Sequence, residues 1–172
     1  MRVSKIVFVS MLAICFAQGE KSMQEITKEA KEMKGDSRIF SGDVRVAMLF
    51  EKNAWRDFSG AKVHFSPKAR SAWHTHPAGQ TLIVTQGVIY TGTKDGIIHK
   101  AEVGDSISCP PNVEHWHGAG LESSGTHIAL TQYDKDSNVI WGDKLSDEEY
   151  LQAIKQAEKK EVIVQDIIKD RF

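Results

Sequence analysis

Trp73-His74-Thr75-His76-Pro77-Ala78-Gly79-Gln80 decides the reading of this chain, together with His115-Trp116-His117 about thirty-five residues further on. Side chains alternate faces along a strand, so a His-x-His pair points two imidazoles the same way, about 6–7 Å apart. That spacing lets both grip one metal ion. Gln80 lies just past a Pro-Ala-Gly turn and can swing back with a fourth donor atom, while His115 brings a third imidazole from a distant segment. Three imidazoles and a carboxamide oxygen form a mixed N/O set that suits one divalent transition metal better than calcium or magnesium. Exposed strands also carry histidine pairs without any ligand. Here, however, all 7 histidines fall between His64 and His127, and Pro110-Pro111-Asn112 makes a rigid turn just before His115.

Outward from these residues the period is that of strands. Val44, Val46 and Met48 alternate with Arg45 and Ala47, as do Ala61, Val63 and Phe65 with their neighbours. Leu82-Ile83-Val84 reads as a buried strand, and Val88-Ile89-Tyr90 follows Gly87. Lys94-Asp95-Gly96 signals a hairpin turn. Ile97-Ile98, Ser106 to Cys109 and Thr126 to Gln132 continue the series. Short strands at this spacing predict an all-β barrel or sandwich over 40–145. The end differs. Ser146-Asp147-Glu148-Glu149 is a capping box, followed by a helical stripe of Tyr150, Leu151, Ile154 and Ala157. The segment 146–172 is therefore a C-terminal helix and tail, packed outside the barrel, with Val162 to Ile168 open between strand and helix. Residues 20–39 read as an amphipathic helix or a linker ending at Gly35.

The first nineteen residues read as a secretory signal. Arg2 and Lys5 precede an apolar run from Ile6 to Phe16, too short to span a bilayer, and Ala17 and Gly19 suit a signal peptidase. A lipoprotein signal with Cys15 lipidated is the alternative. This predicts a periplasmic or secreted bacterial protein with no membrane attachment after plain cleavage. The 172 residues suffice for one domain with a core. A net charge of -1, scattered Lys and Arg, and a mean hydropathy of -0.34 exclude a nucleic-acid binder and fit a globular chain. Cys15 and Cys109 are the two cysteines, so cleavage would leave Cys109 alone, as a small buried residue.

These blocks resemble the two motifs of the cupins. The first runs His74-x-His76, Gln80, Gly87, and the second Gly104, Pro110, His115. General cupins have Glu at position 80. The stretches Ala72 to Pro77, Gly79 to Thr85, His115 to Ala119 and Thr126 to Ala129 closely resemble the small bacterial cupins that include manganese-dependent hydroxynitrile lyases. The resemblance implies a single jelly-roll-like cupin β-barrel, usually a homo-oligomer. It implies metal ligands His74, His76, Gln80 and His115, with manganese first and iron, nickel or zinc as alternatives. His127 matches the residue that faces the metal as a base, and Ala61 and Val63 match pocket-lining positions. The family lyase has Gln where this chain has Thr131, a shorter hydroxyl in the pocket lining. His117 shares the face of His115 and is either a hydrogen-bond partner to the site or a core histidine. Trp73 and Trp116 point away into the core, Glu114 faces outward, and His64 and His99 lie on the surface.

A neutral carboxamide ligand leaves the full charge on the metal, which a glutamate would reduce. Such a site suits a lyase acting on a small hydroxylated or carbonyl substrate, with cyanohydrin cleavage as its sharpest form. A metal-dependent dioxygenase and a non-catalytic small-ligand binder would need the same four ligands.

Overall fold

In the computed structural model, residues 30–169 are described, together with Ile26 and Lys28, and side chains as far as Glu161. The signal-peptide reading of 1–19 lies outside the described residues. Among the described residues, twelve strands precede one helix: β1 (Met33–Lys34), β2 (Phe40–Ser41), β3 (Val44–Phe50), β4 (Phe58–Phe65), β5 (Arg70–Ser71), β6 (His74–Thr75), β7 (Gln80–Thr93), β8 (Ile98–Glu102), β9 (Ser106–Cys109), β10 (His115–Gly118), β11 (Gly125–Gln132), β12 (Ile140–Trp141) and α1 (Asp147–Lys169). They curl into a half-barrel, the all-β architecture with a C-terminal helix that the alternation predicts.

The long strand β7 belongs to both walls. Its first half, from Gln80, pairs with β11 and β9, and its second half, from Val88, pairs with β10 and β8. The first wall runs β1-β3-β4-β11-β7, and the second continues β7-β10-β5-β2. The change of wall falls at Gly87, where φ is +62° and an added Cβ would meet the Ser124 carbonyl oxygen at 2.1 Å. Only a residue without a side chain fits that corner.

Two apolar cores follow from this geometry. Val44, Val63, Phe65, Val84 and Ile89 fill the space between the walls. Trp73, Tyr90, Trp116 and Leu145 lie behind the second wall, against Tyr150, Ala153, Ile154 and Ala157 of α1. The helix thus packs outside the barrel, and both tryptophans face it rather than the site.

The capping box forms as read: the Glu149 N–H donates to Ser146 Oγ at 3.2 Å, and the Ser146 N–H to Glu149 Oε2 at 2.9 Å. The stripe is corrected at one position. Leu151 is 38% exposed and Ala153 is buried in its place, because i, i+3, i+4, i+7 from Tyr150 is the inward face. The open segment Val162 to Ile168 is helical, within α1. The described end of 20–39 is extended: Met33 pairs with Val46, completing the edge of β3 rather than lying on a helix face. No helix among the described residues is long and apolar enough to cross a membrane.

Candidate metal centre

Backbone pairing brings the histidines together. His74 in β6 is the cross-strand partner of His115 in β10. His76 follows β6 in a turn closed by the Gly79 N–H donating to the His76 carbonyl at 3.2 Å, and Gly79, at φ +88°, returns the chain into β7 at Gln80. The rings of His74 and His115 lie 4.3 Å apart between centroids, those of His74 and His76 5.0 Å, and those of His76 and His115 5.4 Å.

Backbone carbonyls fix the tautomers. Nδ1 of His74 contacts the Ala72 carbonyl at 2.9 Å, Nδ1 of His115 the Val113 carbonyl at 2.9 Å, and Nδ1 of His76 the Asn138 carbonyl at 2.5 Å. A carbonyl only accepts, so each Nδ1 carries the proton and each Nε2 keeps its lone pair. The Nε2 atoms of His76 and His115 and Oε1 of Gln80 are buried with no hydrogen-bond partner. Leaving a buried acceptor unpaired costs about 1–3 kcal/mol. Acceptors without donors, beside imidazoles anchored through their other nitrogen, are the arrangement that a metal cation satisfies.

His117 lies two residues past His115 on the same strand and completes a buried three-histidine group: one ring nitrogen from each of His74, His115 and His117 lies within 4.8 Å of the others. This group suits a divalent metal. Nδ1 of His117 is itself 3.1 Å from Nε2 of His127 in β11, and Nδ1 of His127 is buried without a partner. Burial pushes all five imidazoles below 6.5, His76 to about 4 and His127 to about 3, and the closeness of His115 further disfavours protonation of His74. All five are neutral at pH 7, the state that binds metal or accepts a proton.

A cavity of about 230 Å³ opens onto this cluster. His74, His76, Gln80, His117, His127 and Thr131 make its polar side, whereas His115, 1% exposed, does not reach its wall. Ala61 and Val63 of β4 line the apolar side with Val46 and Met48 of β3 and Ala129 of β11. Val46 pairs with Val63 and Met48 with Ala61, so strand alternation contained this wall, but only the pairing order joins the rows. Phe40, Asn138 and Trp141 also line the cavity and carried no sequence signal. The Trp141 ring packs 4.8 Å from that of His74.

The other singled-out residues lie elsewhere. His64 turns to the opposite face of β4, with Nδ1 2.9 Å from Thr126 Oγ1, and His99 is exposed. Glu114 is half-exposed beside Lys94. Cys109 is buried, and burial pushes its thiol up to about 11, so it is no nucleophile at neutral pH.

Residues 61–124 match the family described as Cupin domain. Over 117 residues the chain is 39% identical to an (R)-mandelonitrile lyase of Granulicella tundricola, covering 68% of this chain and 89% of that protein. Among solved structures, a cupin-like protein of Thermotoga maritima superposes with a TM-score of 0.68 at 34% identity, over 76% of this chain and 97% of its own. The polyketide cyclase RemF of Streptomyces resistomycificus shares the fold at a TM-score of 0.58 and 16% identity, over 74% of this chain and 90% of its own.

Proposed function

The chain belongs to the cupin family, and from that premise we propose that it is a metal-dependent lyase cleaving a small cyanohydrin or a related hydroxylated or carbonyl compound. One observation carries the proposal. His76 Nε2, Gln80 Oε1 and His115 Nε2 are buried acceptors without donors, next to His74. His74, His76, Gln80 and His115 would hold the ion, manganese first, with iron, nickel or zinc as alternatives. The three-histidine group with His117 is the competing set. It is disfavoured because it leaves His76 Nε2 and Gln80 Oε1 unpaired. A divalent ion there supplies Lewis acidity, undiminished by the neutral Gln80. The mandelonitrile lyase relative supports the cyanohydrin as substrate class.

The remaining work falls to this chain's own residues. The wall of Val46, Met48, Ala61, Val63 and Ala129 receives the apolar part of a substrate and keeps water out. His127, neutral and buried, donates from Nε2 to His117 Nδ1, which leaves its unpaired Nδ1 as the base. That atom takes the substrate hydroxyl proton, the bond between the carbinol and nitrile carbons breaks, and the proton passes to the departing cyanide. The products are an aldehyde and hydrogen cyanide. Export of the chain after cleavage near Gly19, and assembly into a homo-oligomer, complete the proposal. The mass of the native N-terminus and the solution mass test these two points.

The deciding experiment loads the protein with manganese and offers mandelonitrile, following benzaldehyde, with oxygen uptake measured in parallel on a panel of phenols. Benzaldehyde release without oxygen uptake is the expected result. Oxygen uptake without cleavage would replace the lyase with a dioxygenase, and inertness in both assays would leave a ligand-binding cupin.

A further inference from the structure

Thr131 lines the cavity, but its hydroxyl does something more specific. Gln80 and Thr131 are directly opposed partners of β7 and β11. Gln80 Nε2 donates to Thr131 Oγ1 at 2.9 Å, and Thr131 is 7% exposed. The other end of the same carboxamide, Oε1, is buried and unpaired. We propose that Thr131 is a positioning residue that, by accepting from Nε2, turns the oxygen of Gln80 and not its amide nitrogen toward the metal.

The inference rests on the metal-centre reading above. A carboxamide is nearly symmetric in shape but opposite in polarity at its two ends. Rotated by half a turn, Gln80 would present an NH2 group to the lone pairs of His76 and His115, and so would exclude a cation rather than bind one. The His76 Nε2 lone pair is unpaired, so without a competing acceptor that NH2 group would turn to it. The Thr131 hydroxyl gives the NH2 group a competing acceptor on the far side. A glutamate ligand would not need such a partner, because both ends of a carboxylate are oxygens. The dependence on Thr131 therefore belongs to a chain with Gln at position 80.

The test measures manganese affinity, by the signal of free Mn2+ at equilibrium, with the metal alone as probe. Thr131→Val keeps the shape and removes the acceptor, and should weaken binding about 10–100-fold. Thr131→Ser should stay near the parent value. In a Gln80→Glu background the same Thr131→Val change should have little effect. Unfolding of the metal-free variants separates lost binding from lost structure, and Thr131→Ala serves as the second acceptor-free variant. Unchanged affinity in Thr131→Val and Thr131→Ala would overturn the inference alone. So would an equal loss in the Gln80→Glu background. A parent protein that takes up no manganese would overturn the metal-centre reading and this inference together.

Discussion

His127 Nε2 and His117 Nδ1 face each other at 3.1 Å across the two walls of the half-barrel, one ring fully buried and the other 5% exposed. Both imidazoles are neutral, so one N–H is shared between them and the ring of His127 is held in one orientation. His127→Ala should therefore lower cleavage of mandelonitrile by about 10²–10⁴-fold, the usual contribution of a general base. Its manganese content should match that of the parent. An unchanged rate in the metal-loaded variant would remove His127 from the chemistry while leaving the reaction class open.

The buried imidazoles also set the acid limit of the metal-free protein. Their folded-state values lie below 6.5, at about 4 for His76 and about 3 for His127. A depressed value means that the unfolded chain binds more protons than the folded one as pH falls below 6.5. Their stabilisation is complete above 6.5 and is lost as pH drops toward those values. Each contributes up to about 1.4 kcal/mol for every pH unit below 6.5. Urea midpoints should fall steeply between pH 6.5 and 4, and His127→Phe should flatten the slope. A midpoint constant over that range would contradict the assignment of neutral, buried rings.

How much of this was legible depended on whether a feature is local. The turn Pro77-Ala78-Gly79 and the flanking His76 and Gln80 are contiguous, so spacing alone announces them. The Ser146–Glu149 box is likewise a four-residue pattern. The partner of Gln80 is not local: Thr131 lies 51 residues away and meets it only through the register of β11 against β7. Asn138 comes from the irregular link after β11 and Trp141 from the two-residue strand β12, both too short for a period to predict which side chain turns inward. Leu151 is apolar but out of phase with Tyr150, Ile154 and Ala157, and helical phase favours the smaller Ala153.

Arg70 was silent for the same reason, a lone cation in a two-residue strand, yet it ties the helix to the barrel. Its buried guanidinium donates to the Leu145 carbonyl at 3.0 Å and to Asp147 Oδ1 at 2.5 Å, and lies 4.7 Å from the Tyr150 ring centre. Arg70→Met should cost about 2–3 kcal/mol, because it strands a carbonyl at the helix entrance. Asp147 is 98% exposed, so Asp147→Asn should cost below about 1 kcal/mol despite removing the same ion pair. Urea denaturation of the two variants measures the difference. Equal losses would mean that the ion pair, not the buried cap, fastens the helix.

Gly87 provides the sharpest test of the fold's central corner. At φ +62° a side chain costs about 1–2 kcal/mol from backbone conformation alone. The added Cβ would also approach the Ser124 carbonyl oxygen at 2.1 Å. That oxygen is backbone, and it accepts the Val88 N–H at 3.2 Å, so it cannot withdraw without breaking the join between β7 and the start of β11. Gly96 has a similar φ of +84° but nothing within 4 Å of its added Cβ. Gly96→Ala should thus cost only the conformational part, about 1 kcal/mol, and Gly87→Ala about 3 kcal/mol or more. The first half of β7 carries Gln80 and the second half pairs with the strand of His115 and His117. Gly87→Ala should therefore also weaken manganese binding, while Gly96→Ala leaves it unchanged. Equal destabilisation of the two variants, or a Gly87→Ala protein with parental metal affinity, would show that the corner does not set the geometry of the site.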